Sequence, residues 1–164
     1  TSNFLLTQLD EPNRISFMNP DDKAAELGIE FSKQEAGYLN LCIRSGNLLI
    51  TSGHTSTATG VLGGGLSVDE GYEAAEDCAK KILNSVYNAH STINGLKVIK
   101  LLGCVYSAPD FTDQHLVING ASDLLHQIYG KDEDGYHARS ALGFAALPTG
   151  AAVEVEAIFE IIEE

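Results

Sequence analysis

The stretch SVDEGYEAAEDCAKKILNSVYNAHSTING, beginning at Ser67, constrains the fold more than any other part of the chain. Ser67 and Glu70 have the spacing of a capping box, in which two orphan donors at a helix start are satisfied reciprocally. Beyond them Tyr72, Ala75, Ala79, Ile82, Val86 and Ile93 recur at helical spacing, which predicts one long amphipathic helix stopped at Asn94 and Gly95. Such a helix must bury its apolar stripe against another element. The next segment supplies one: LKVIKLLGCVYSA has too few polar breaks for an exposed strand and fits a central strand covered on both faces. A second helix is predicted from about Asp113 to Tyr129, with Val117, Ala121, Leu124, Leu125 and Ile128 facing inward and Gly130 closing it.

Other elements follow from caps and turns. Asn19 as N-cap, Pro20 at the first helical position and Gly28 as a stop predict a short helix from 20 to 27. YLNLCIRSGNLLITSG gives two β-rich runs around Ser45, Gly46 and Asn47, a hairpin signal. The Thr/Gly stretch from Thr55 to Gly65 offers one short strand at Val61 and Leu62. At the far end, YHARSALGFAALPTGAAVEVEAIFEI reads as a hairpin turning at Pro148, Thr149 and Gly150. Its second strand alternates Val153, Val155, Ala157, Phe159 and Ile161 with Glu154, Glu156 and Glu160. The order is strand, strand, helix, strand, helix, strand, strand: an α+β class with two long helices on one face of a mixed sheet. The other face has apolar positions and no cover, so a second copy of the chain is expected there.

Composition bounds the function. A length of 164 residues, 44% of them hydrophobic, suits a single domain, residues 1–164, whose first 34 residues form an N-terminal extension with the short helix. The formal charge of -13 repels phosphate backbones and anionic membranes, which makes nucleic acid an unfavourable partner. Cys42, Cys78 and Cys104 are odd in number and without a C-x-x-C, so free thiols in a reducing compartment are expected rather than disulfides or zinc. The opening TSNFLLTQLDEPNR lacks a basic, then apolar, leader pattern, and no run approaches the roughly 18 apolar residues of a membrane span. A soluble, cytoplasmic protein is the expectation.

Several familiar motifs are missing. GVLGGGLS lacks the Lys-Ser/Thr of a phosphate loop and reads as a plain loop. His54, His90, His115, His126 and His137 show no metal-ligand spacing, and Ser52 sits in no G-x-S-x-G elbow. No metal site is expected.

Three segments carry a resemblance. GNLLITSG (46–53), VINGASDLL (117–125) and ARSALGFAALPTGAAVEVEA (138–157) resemble the YjgF family, also called the Rid or L-PSP endoribonuclease family, over about Glu35 to Ile161. The resemblance implies a chorismate-mutase-like fold, a homotrimer with ligand sites in intersubunit clefts, and cofactor-free hydrolysis of reactive 2-imino or enamine acids to 2-keto acids and ammonia. Other members are described as ribonucleases or translation inhibitors. Residue by residue, it implies that Arg139 clamps a substrate carboxylate, that Glu154 positions or activates water, and that Ser52 and Asn119 line the cleft while Gly53 admits backbone close to the ligand. Tyr38 resembles the family's cleft tyrosine but lies one residue out of step. Ala141 stands where imine-hydrolysing members often carry cysteine, and His137 where proline is usual.

Each assignment has a plainer alternative: an ion pair for Arg139, a solvated strand face for Glu154, a strand-end hydroxyl for Ser52, a helix-surface amide for Asn119. Hairpin arithmetic sharpens the first. With a turn at 148–151, Arg139 falls opposite Glu160, and Glu154 lies about six residues away, roughly 20 Å at ~3.4 Å per residue. One chain then cannot bring Arg139 and Glu154 to one ligand, and Glu160 competes for the guanidinium. The functions left standing are an imine deaminase, a binder of small carboxylates without turnover, and, against the charge, a ribonuclease.

Overall fold

The computed structural model describes residues 18–163. The first 17 residues of the expected extension lie outside the described residues.

Helix α1, Pro20–Glu26, forms as its signals predict: Asn19 is extended and its side chain accepts from the Asp22 N–H, Pro20 opens the helix, and Gly28 leaves it at φ 74°. Asp21 accepts from the Ile93 N–H and the Thr92 hydroxyl, while its own N–H donates to Asn94, which clamps α1 to a distant turn. Strands β1, Cys42–Ser45, and β2, Leu48–Thr51, form the expected hairpin, with Gly46 at φ 61° in the turn. A two-residue strand β3, His54–Thr55, follows. Val61 and Leu62 form no strand; Leu62 makes isolated bridges to Leu66 and Ser107, and its fully buried side chain plugs the core.

Helix α2, Val68–His90, carries the complete Ser67/Glu70 capping box. It stops earlier than Asn94 and Gly95, because Ser91 turns left-handed at φ 68° and its N–H closes on the Tyr87 carbonyl. Ile93 is fully buried all the same, through the turn rather than the helix, which is why the periodicity overran. Strand β4, Leu96–Tyr106, leads to α3, Gln114–Tyr129, with Gly130 as its cap. Strands β5, Ala138–Phe144, and β6, Val153–Ile161, complete the set.

The sheet runs β1-β2-β6-β4-β5, with β3 also on β6. This overturns the closing hairpin. β5 lies parallel to β4 and β6 antiparallel to it, so β4 separates the two. The turn residues at Pro148–Gly150 are real, with Thr149 at φ 59°, but the chain they redirect crosses β4 instead of folding back on β5. β4 is central as expected, and its two neighbours are the strands taken for each other's partners, but the helices cover only one of the two faces expected to be covered. Helices α2 and α3 cover one face, packing Ile82, Leu83, Val86, Ile118 and Leu125 over Leu101, Val155 and Phe159. On the opposite face Ile43, Ile50, Leu142 and Phe144 stay 52%, 37%, 48% and 39% exposed. Among the described residues no helix is long and apolar enough to cross a membrane.

Candidate functional site

Arg139 is the second residue of the edge strand β5, in register with Leu101. Side chains alternate across a strand, and Leu101 is buried under the helices, so Arg139 also points to the helix side. There its Nη1 donates to Asn119 Oδ1 at 2.9 Å and Ser122 Oγ at 3.1 Å, and Nη2 reaches the His115 carbonyl at 3.4 Å. Residues 115, 119 and 122 sit one turn apart on α3, so a single helical stripe presents all three acceptors. All are neutral. Among the described residues no ion pair includes Arg139; burial lowers its pKa, and the charge of nearby Asp123 only partly opposes this. Glu160 is not its partner: it pairs with Leu48 and Lys97 across the sheet and accepts from Asn47 at 2.9 Å. The Nε–H and one Nη2–H of Arg139, the edge that grips a carboxylate side-on, have no partner among the described residues.

Glu154 lies on the other side of the sheet. It pairs with Cys104 on β4, three residues from Leu101, so its side chain leaves the face opposite to that of Arg139. Its carboxylate lies directly over Gly53, where a β-carbon would overlap Oε1 and come within 2.9 Å of Cδ. Gly53 thus makes room for Glu154. Ser52 precedes it and anchors the strand end, its N–H donating to the Leu41 carbonyl and its hydroxyl to the Asn40 carbonyl. Burial, then the charges of Glu154 and Glu156, pushes the neighbouring Cys104 thiol up to about 11, so it stays protonated at neutral pH. Tyr38 is 104% exposed and reaches neither group.

One protomer therefore separates the expected site residues into two groups: Arg139 with Asn119 on the helix side of β5, and Ser52, Gly53 and Glu154 on the open face. The sequence missed two supports. His54 is buried; its Nδ1–H donates to the Ser52 carbonyl, and its Nε2 accepts from Ser85, whose oxygen accepts from Gln34. Burial lowers the His54 pKa, which suits a neutral ring holding the Ser52–Gly53 peptide in place. The other is Ser122, whose spacing of three from Asn119 was the available signal. Among the described residues no cluster of three or more His, Cys, Asp or Glu is arranged to hold a metal.

Over residues 31–161 the chain matches the family described as Endoribonuclease L-PSP. It belongs to that family. Protein TCP17 of Trypanosoma cruzi, a relative in the family, is 47% identical over 104 residues, 63% of this chain and 64% of its own length. The chain thus spans less than two thirds of that relative. The protein Atu1372 of Agrobacterium tumefaciens, of unknown function, is 40% identical with a TM-score of 0.74, covering 87% of this chain and 92% of its own. The YjgF gene product of E. coli shares the L-PSP fold at 20% identity and a TM-score of 0.51, covering 75% and 87%.

Proposed function

We propose that this L-PSP family member hydrolyses small 2-imino acids to 2-keto acids and ammonia, in clefts that combine Arg139 of one protomer with Ser52, Gly53 and Glu154 of the next in a homotrimer. The observation that carries the reading is Arg139 itself. A half-buried cation held only by neutral acceptors is costly without an anion, and its open edge fits a carboxylate. Since Arg139 and Glu154 leave opposite faces of one sheet, a shared ligand requires a second copy. The uncovered apolar positions Ile43, Ile50, Leu142 and Phe144 favour such packing.

In the reaction, Arg139 fixes the carboxylate and so places the imine carbon in the cleft. Glu154 accepts a proton from water as the oxygen adds to that carbon and passes it to the nitrogen, giving a carbinolamine; the hydroxyl of that adduct then gives its proton through Glu154 to the nitrogen, so that the C–N bond breaks, ammonia leaves and the C=O of the 2-keto acid forms. Positioning and charge complementarity supply most of the rate for so labile a bond. The test is ammonia release from freshly generated 2-iminobutanoate, which the protein should accelerate. No acceleration, with 2-keto acid still bound, would favour the second reading, a carboxylate binder without turnover, for which Ala141 and His137 speak. A ribonuclease is disfavoured by the formal charge of -13.

Gly53→Ala tests the placement of Glu154. Its methyl would push the carboxylate aside, so turnover should fall about 100-fold, the low end of what losing an aligned proton acceptor costs. A flexible side chain yields more easily than backbone, so the melting temperature should barely move. Unchanged turnover would remove Glu154 from the chemistry.

A further inference from the structure

Behind Arg139 stands a hydrogen-bonded pair that the proposed reaction does not use. His137 precedes Arg139 by two residues and points to the same side of the sheet. Its Nδ1 is 2.6 Å from the Gly135 carbonyl and its Nε2 is 2.9 Å from Ser122 Oγ, the atom that also receives Arg139 Nη1 at 3.1 Å. A carbonyl can only accept, so Nδ1 carries the proton. In the neutral ring Nε2 is then bare and takes the Ser122 hydroxyl proton. That fixes the hydroxyl and turns its lone pairs toward Arg139. Ser122 is 4% exposed, which leaves water little access to the arrangement.

Protonation changes the pattern. With a proton on Nε2, His137 must donate to Ser122, whose oxygen then accepts from two cations at once. Their repulsion is relieved when an anion sits on Arg139. Linkage is reciprocal: if the anion makes the proton easier to add, the proton makes the anion easier to hold. We propose that Ser122 and His137 are positioning residues for Arg139, and that proton uptake at His137 tightens its grip on a carboxylate. The inference rests on the reading of Arg139 as a carboxylate site.

The surroundings agree in sign. Burial lowers the His137 pKa, the Gly135 carbonyl opposes this, and the charges of His126 and Arg139 lower it further. The ring of His126, on α3, lies tilted against that of His137 with centroids 5.2 Å apart. Burial lowers the His126 pKa as well, with Asp123 and Asp132 raising it and Lys131 and Arg139 lowering it. Offsetting the Arg139 charge with a bound anion therefore moves His137 upward, and affinity grows as pH falls through its titration.

The probe is 2-oxobutanoate, whose carboxyl stays ionised throughout the range from pH 8 to 5. Calorimetry on the full chain should show Kd falling about 5-fold as pH drops from 8 to 5. His137→Gln offers an amide oxygen to Ser122 without titrating; its Kd should stay flat near the wild-type value at pH 8. His137→Leu, which leaves Ser122 undirected, should bind more weakly at every pH. His126→Gln should keep the dependence and shift it to higher pH. In the unmutated protein the His137 ring resonances should titrate at higher pH with 2-oxobutanoate bound than without, a readout independent of any variant. An unaltered pH dependence in His137→Gln, or a His137 titration indifferent to ligand, overturns the inference alone. No binding at any pH overturns the carboxylate reading of Arg139 and the inference with it.

Discussion

Arg139→Ala should lose carboxylate binding by about 150-fold, the equivalent of ~3 kcal/mol for a charged, two-point contact. The loss is expected in affinity rather than in folding. Arg139 sits half-buried on an edge strand, with neutral partners, so its removal vacates three hydrogen bonds but also removes a cation with no carboxylate in contact. Arg139→Lys should not restore binding. An ammonium is a compact point charge and cannot span Asn119, Ser122 and a side-on carboxylate together. Calorimetry with 2-oxobutanoate and a thermal melt separate the two effects. Binding within a few-fold of wild type in Arg139→Ala would mean that the carboxylate is held elsewhere.

Gly120→Ala is the largest structural effect to be expected from one methyl. Gly120 lies on α3 where it crosses α2, and a β-carbon there would overlap the Tyr72 carbonyl oxygen and approach its carbonyl carbon to 2.8 Å. The obstacle is helix backbone, which cannot rotate away. Alanine is the better helix former by ~1 kcal/mol, but overpacking at a contact between helices costs about 3 kcal/mol, so the clash wins. The melting temperature should fall by on the order of 10 °C. Because His115, Asn119 and Ser122 ride on α3, displacing it also misplaces the acceptors of Arg139, and 2-oxobutanoate affinity should drop with stability. A melting temperature unchanged within ~2 °C would show that the two helices have slack at this crossing.

These expectations mark how far the sequence could be read. Local chemistry was legible: the Ser67/Glu70 box, the Asn19 cap, the Gly46 turn and the central place of β4 are all properties of short windows, and the structure has each of them. Pairing was not legible. Pro148–Gly150 signals that the chain turns but not which strand it returns beside, and β4 inserts between β5 and β6 over a long sequence separation. The placement of Glu160 opposite Arg139, and with it the competing ion pair, failed for that reason. Its actual acceptors, Asn119 and Ser122, lie 20 and 17 residues away on a helix, where nothing in a strand-based register points. Resemblance supplied Asn119, marked His137 only as a departure from the usual proline, and left Ser122 out.

The central claim is that one ligand is shared by Arg139 of one protomer and Glu154 of its neighbour. Mixing Arg139→Ala with Glu154→Gln, after dissociation and reassembly, tests it most directly. Each variant alone should release almost no ammonia from 2-iminobutanoate. In a random mixture about one quarter of the clefts pair an intact Arg139 with an intact Glu154, and activity should return to about that fraction of wild type. A mixture as inactive as its components, from chains shown to have exchanged, would contradict the shared cleft.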